Sequence, residues 1–271
     1  MAKDIQHFSL NFKSSEVEHR YGKNVHILAN PYTQTILAKF GRPEVKHPLV
    51  NSYVRMLYNQ LIVEVVNGEF PRADIAWDTR MKALDPNGTF EGEVLADTPV
   101  VVVDLARAGT WPSHICFDSL NYLINPDLMR EDHFYLNRKT NDAGEVIGVD
   151  ASGSKIGGGK QDAIILFPDP MGATGSTISH ALRHYKKNVP GREKKFISIH
   201  LVITPEYIQR LTAENPDLVI YALRLDRGTS TEKIRQTIPG TQPQLETGLN
   251  ATQYIVPGLG GVGEILSNSY I

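Results

Sequence analysis

The residues best suited to chemistry lie in the segment Ile164–His180, IILFPDPMGATGSTISH. An apolar run ends at Asp169. Gly172, Thr174, Gly175, Ser176 and Thr177 follow, and then a helical pattern starts. Glycines let backbone N–H groups converge on one anion. A helix start adds unpaired donors and a partial positive charge. The hydroxyls of Thr174, Ser176 and Thr177 supply further donors, so the segment suits a phosphate. Asp169 would repel a bare phosphate, but it can accept hydrogen bonds from sugar hydroxyls beside one. A phosphorylated ribose meets both needs. The plain alternative is a structural strand-to-helix turn, and a lone glycine-rich motif would leave that reading ahead. The added Asp and hydroxyls reverse the balance. No Lys follows the last glycine, as a Walker loop requires, and the spacing is not that of the dinucleotide fingerprint.

A second candidate is Arg107, which follows the β-branched run Val100–Val103 and precedes Ala108-Gly109. A cation at a strand end suits an anionic ligand, with a structural ion pair as the alternative. His47 stands at a helix start, where capping or packing is the expected role. Cys116 lies between Ile115 and Phe117 and reads as core. His114, His180, His184 and His200 lack metal-ligand spacing, so no protein-bound metal is expected. The basic run Arg183–Lys195 reads as a solvated helix end. Ser152–Lys160 reads as a mobile hairpin tip or a lid.

These residues need elements to hold them. Apolar positions from Leu49 to Val65 recur at helical spacing, which predicts a packed helix over Pro48–Val66. Turn signals such as Asp85-Pro86-Asn87-Gly88 predict a hairpin or short strands within Phe70–Pro99. Strands are predicted at Val100–Val103, Asp132–Tyr135, Glu145–Val149, Ala163–Phe167, Phe196–Ile203 and Leu218–Leu223. Helices are predicted at Ser113–Leu123, Thr177–Tyr185 and Pro205–Ala213, the last with Thr204 as N-cap and Pro205 at its first position. This alternation predicts an α/β fold with a mainly parallel sheet and helices on both faces. Ligands then bind beyond the strand C-terminal ends. Residues 1–40 read as an N-terminal arm and 41–271 as one domain.

The chain has 271 residues, 41% apolar and 21% charged, with net charge −2. That balance is globular and offers no broad basic field for nucleic acid. One cysteine excludes an internal disulfide and fits a reducing compartment. The first residues lack the apolar core of a signal peptide, and no apolar run is long enough to span a bilayer. A cytoplasmic protein is expected, without nucleic-acid or membrane partners.

Asp169-Pro170-Met171-Gly172-Ala173-Thr174-Gly175-Ser176-Thr177 resembles the phosphoribosyl-pyrophosphate motif DPMLATGGS of the uracil phosphoribosyltransferase family. Val45-Lys46-His47-Pro48-Leu49-Val50 is similar to that family's VKHPLV, and Leu105-Ala106-Arg107-Ala108-Gly109 to its LRAG segment. Tyr254–Gly260 is similar to its YIIPGLG. The four segments are collinear and span roughly residues 44–268. The resemblance implies a type I phosphoribosyltransferase fold with a β-arm and a C-terminal base-binding hood. It implies transfer of a phosphoribosyl group to uracil, giving uridine monophosphate in pyrimidine salvage, with Mg²⁺ carried by the pyrophosphate substrate. It also implies a homo-oligomer, dimer or tetramer. Arg107 would pair with the pyrophosphate and Asp169 with the ribose, both as catalytic residues. The loop from Pro170 through Met171, Gly172 and Ala173 to Thr177 would hold the substrate and cradle its 5′-phosphate. Ile255, Gly260, Gly261 and Val262 would read the base.

The chain departs from the family at several of these places. PGLGDAGD becomes Pro257-Gly258-Leu259-Gly260-Gly261-Val262-Gly263-Glu264, so Gly261 replaces a carboxylate. Glu264, three positions on, is expected not to reach the same point, because the intervening glycines set a tight path. Weak or absent activity on uracil is therefore expected. The family's loop leucine is Gly172, and its next glycine is Ser176, whose Cβ restricts a turn. The family's YRNEET falls on Tyr135–Thr140, which puts its arginine on Leu136; Arg138 is the expected substitute. Two alternatives stay open: a non-catalytic relative that senses nucleotide or phosphoribosyl pyrophosphate, and a transferase for another nucleobase.

Overall fold

A computed structural model describes the backbone of residues 5–140 and 146–269, and side chains of 5–136 and 152–269. In chain order the elements are β1 (Val25–Ile27), α1 (Pro31–Phe40), α2 (Leu49–Glu69), β2 (Arg72–Asp78), β3 (Thr89–Leu95), β4 (Val100–Ala106) and α3 (Thr110–Leu120). Next come β5 (Met129–Thr140), β6 (Val146–Lys155), β7 (Ile164–Pro168), β8 (Met171–Gly172), α4 (Ser176–Asn188), β9 (Lys195–Ile203) and α5 (Pro205–Glu214). The chain closes with β10 (Val219–Leu225), α6 (Glu232–Arg235) and α7 (Val262–Ser267).

The central sheet has the order β1-β10-β9-β7-β4-β5-β6, with β8 beside β9. Every pair is parallel except β5–β6. The largely apolar runs of β4, β7 and β9, broken only by Asp104 in β4 and by Ser198 and His200 in β9, explain why they occupy the middle: both faces of each are covered. Alternation then sorts their side chains. Val100 and Val102 join Ile115, Leu57 and Leu61 under α2 and α3. Val101, Val103 and Leu105 join Leu182, Tyr185 and Leu211 under α4 and α5. Cys116 is fully buried in the first layer, as its neighbours predict.

The predicted helix at Pro48–Val66 forms as α2. The turn-rich stretch after it forms the antiparallel β2–β3 hairpin, with Trp77 opposite Phe90. Thr204 caps α5 by accepting the Tyr207 N–H at 3.0 Å, and Pro205 opens the helix. Within the stretch expected to be an arm, Val25–Ile27 is an edge strand on β10, and α1 buries Ile36, Leu37 and Phe40. The core thus reaches back to Val25. Part of the expected arm between β5 and β6, residues 141–145, lies outside the described residues.

Candidate functional site

Strands β4 and β7 run side by side in the same direction. The loops carrying Arg107 and Asp169 therefore leave the same edge of the sheet. After β7 the chain turns through Pro170–Thr174, and α4 begins at Ser176. Gly175 caps that helix with φ +75°, a left-handed conformation that strains any other residue, and a Cβ there would also press on Leu211. Ser176 stands one step later, already in the helix, so its Cβ restricts nothing. Thr174 Oγ1 lies 2.9 Å from Ser176 Oγ and accepts the Ser176 N–H. Among the described residues, the N–H groups of Thr174, Gly175, Thr177 and Ile178 have no acceptor. These are the first-turn donors that a helix leaves open.

Gly172 has no room for the family's leucine. A Cβ there would fall 2.8 Å from Ile203 Cγ2 and 3.0 Å from the Tyr207 ring. Tyr207 fills that space from α5. Its hydroxyl lies 2.6 Å from His200 Nε2 and 3.0 Å from Ser198 Oγ. His200 Nδ1 lies 2.5 Å from the Asp169 carbonyl oxygen, which can only accept, so Nδ1 donates. Burial pushes the His200 pKa down to about 3, which keeps the ring neutral. This buried chain fixes the main chain at Asp169. The Asp169 carboxylate accepts the Met171 N–H at 3.2 Å.

Arg107 is exposed and donates to Ser269 Oγ at 3.0 Å. Below it, Asp104 accepts from Thr110 Oγ1 at 2.9 Å and faces His133 Nδ1 at 3.1 Å, which ties the loop's two ends together. His47, expected to cap or pack at a helix start, is exposed instead, with Nε2 2.8 Å from the Ile265 carbonyl of α7.

The C-terminal segment lies over this loop: a Cβ on Gly263 would sit 3.4 Å from Ala108 Cβ. The Ile255 side chain is buried in the core, while its N–H and C=O make no hydrogen bond among the described residues. Val262 N–H is taken by Gly260 C=O at 3.1 Å, and Gly261 C=O by Ile265 N–H at 3.0 Å. Among the described residues the Gly261 N–H, like the Ile255 peptide groups, has no partner. One expectation here is overturned. Glu264 does reach Gly261: a Cβ on residue 261 would collide with Glu264 Oε2. Gly261 is the N-cap of α7, and the helical turn brings the third residue back over the cap. The glycines supply a turn, not an obstacle.

Leu136, where the family's arginine falls, packs partly buried against the α4–α5 layer. Arg138 pairs with Val149 across β5–β6, and its side chain lies outside the described residues. One functional candidate escaped the sequence. Arg210 of α5 donates to Ser176 Oγ at 2.7 Å and bonds Glu214 at 3.0 Å, which sets a guanidinium beside the phosphate loop. It is 34 residues from its partner, and no motif spacing marks it.

The sequence profile of the uracil phosphoribosyltransferase family matches residues 27–243. The uracil phosphoribosyltransferase of Thermosipho melanesiensis is 26% identical over 234 residues, which cover 82% of this chain and 96% of that protein. That of Variovorax paradoxus is 26% identical over 243 residues, covering 89% and 96%. Among solved structures, the AQ2163 protein from Aquifex aeolicus shares the fold, with a TM-score of 0.67 at 20% identity, over 89% of this chain and 97% of that one.

Proposed function

The chain belongs to the uracil phosphoribosyltransferase family, and from that premise we propose that it transfers the phosphoribosyl group of phosphoribosyl pyrophosphate to uracil. The uracil N1–ribose C1 bond forms, the C1–oxygen bond to pyrophosphate breaks, and the N1 proton is released. The observation that carries this reading is the set of open N–H groups at Thr174, Gly175, Thr177 and Ile178 around the left-handed cap Gly175. They take the 5′-phosphate, aided by the Thr174 and Ser176 hydroxyls. Asp169 accepts from the ribose hydroxyls. Arg107 stabilises the departing pyrophosphate, whose charge grows as the bond breaks. The Ile255 peptide group and the Gly261 N–H meet the uracil edge. Such a reaction needs positioning and charge stabilisation more than covalent help.

Mg²⁺ enters on the substrate, where it would offset pyrophosphate charge. The carboxylates of Asp169 and Glu264 are oxygen donors of the kind that suit it. The chain would act as a cytoplasmic homo-oligomer in pyrimidine salvage. Support for assembly is the β2–β3 hairpin, whose Trp77, Met81, Leu84 and Phe90 are each more than half exposed. Among the described residues no helix is long and apolar enough to cross a membrane.

Steady-state formation of uridine monophosphate tests the reading. Gly261 alone argues for weak or absent activity, but Glu264 lies over that position, so we expect turnover in the ordinary enzyme range, roughly 1–1000 s⁻¹, and loss of substrate binding in a Thr174→Ala, Gly175→Val double variant. A wild-type protein that binds phosphoribosyl pyrophosphate and releases pyrophosphate with no nucleobase in a panel overturns it.

A further inference from the structure

We propose that Glu264 supplies, from the first turn of α7, the acidic group that residue 261 lacks, and that this carboxylate faces the sugar-pyrophosphate of the substrate. The proposal rests on the transferase reading above. Its geometric basis is the overlap already described: Glu264 Oε2 occupies the point where a residue-261 side chain would start. One carboxylate oxygen of Glu264 therefore crowds the point from which the family's acid would branch, although it is rooted three residues later. The surroundings agree. Gly263 packs on Ala108, and Ser269, one turn beyond, receives a hydrogen bond from Arg107. Glu264 and the pyrophosphate arginine thus share one corner of the site.

The ordinary role for a glutamate at this position is a capping box, in which it accepts the N–H of the helix cap. Gly261 has no side-chain cap, and among the described residues the Glu264 carboxylate accepts no hydrogen bond and forms no ion pair. It is half-buried and unpartnered. The Gly261 N–H beside it is open as well. Any side chain at 261 would have to push the Glu264 carboxylate aside, a shift the flexible end of a glutamate can make.

The test is calorimetry of phosphoribosyl pyrophosphate binding, with thermal unfolding of each variant. Glu264→Gln keeps the size and any capping role but removes the charge. We expect at least a ten-fold loss of affinity with unchanged Tm. Gly261→Ala should lose affinity to a similar degree by displacing Glu264. Moving the acid back, in a Gly261→Asp, Glu264→Gly double variant, should return affinity to within about three-fold of wild type. If Glu264→Gln binds within two-fold of wild type while Thr174→Ala weakens binding, this proposal fails and the transferase reading stands. If the wild type binds no phosphoribosyl pyrophosphate, both fail together.

Discussion

Asp169 is held through its N–H to the Ile199 carbonyl, its carbonyl to His200 and its carboxylate to the Met171 N–H. Asp169→Asn keeps that shape and removes a charged acceptor. A charged hydrogen bond to a sugar hydroxyl is worth about 1.5–3 kcal/mol. Affinity for phosphoribosyl pyrophosphate should therefore fall about ten- to hundred-fold, with a much smaller change for inorganic phosphate. Equal weakening of both ligands would reduce Asp169 to a shaper of the loop. His200 carries a second prediction, this one on pH. Its folded pKa of about 3 lies below the ordinary 6.5. Between those values the unfolded chain binds a proton that the folded one refuses. Stability therefore falls as pH drops from 6.5 towards 3, by at most about 1.4 kcal/mol per unit from this group. Urea unfolding across that window should show a shallower fall in His200→Gln than in wild type, and parallel curves would refute the assignment. Asp169, Thr174 and Arg107 were legible in the sequence because contiguous motifs carry them. His200, Tyr207 and Arg210 were not, because their partners lie on other elements. Glu264 was not legible for a different reason: the glycines before it suggest a tight path that keeps it away, whereas they cap and open a helical turn that folds it back.

Helix α5 does more than cover the sheet, since it fills the hole that Gly172 leaves. Gly172→Leu, which installs the family's residue, should overpack against Tyr207 and Ile203 and cost about 1–3 kcal/mol. Tyr207→Ala alone should cost about 3–5 kcal/mol by leaving a cavity and breaking the His200 contact. Together the two changes should cost less than their sum, because the leucine occupies what the tyrosine vacates. A double-mutant cycle by denaturant unfolding measures that coupling. Strict additivity would mean the two side chains do not compete for the same space. Long elements were legible where period and caps agreed, as in α2 and in α5 with Thr204-Pro205. Short ones were not. β1 has three residues with His26 in the middle, β8 has two, and α7 has six interrupted by Gly263. None is long enough to show a period.

At the scale of the whole molecule, the alternation of apolar runs with helical stretches sufficed for a parallel sheet covered on both faces. It did not show where the chain's beginning goes, because β1 joins the sheet by pairing and not by pattern. A ligand bound between the β4 and β7 edges and the α7 segment should stabilise all of this at once. At a concentration of about 100 Kd, phosphoribosyl pyrophosphate should add about 2.7 kcal/mol. For a domain of this size that is a rise in Tm of roughly 5–10 °C. Scanning calorimetry with and without the ligand measures it, and an unmoved Tm at saturating ligand would contradict a site built into the core. The pairing of Val25 with Ile220 has a further consequence, in time. During synthesis from the N-terminus at roughly 5–20 residues per second, β1 emerges on the order of 10–40 s before the strand it must join. The first strand made is thus among the last to be seated. Until β10 arrives, β1 has beside it only the short Ser15–Val17 stretch that bonds to Ile27 and Ala29.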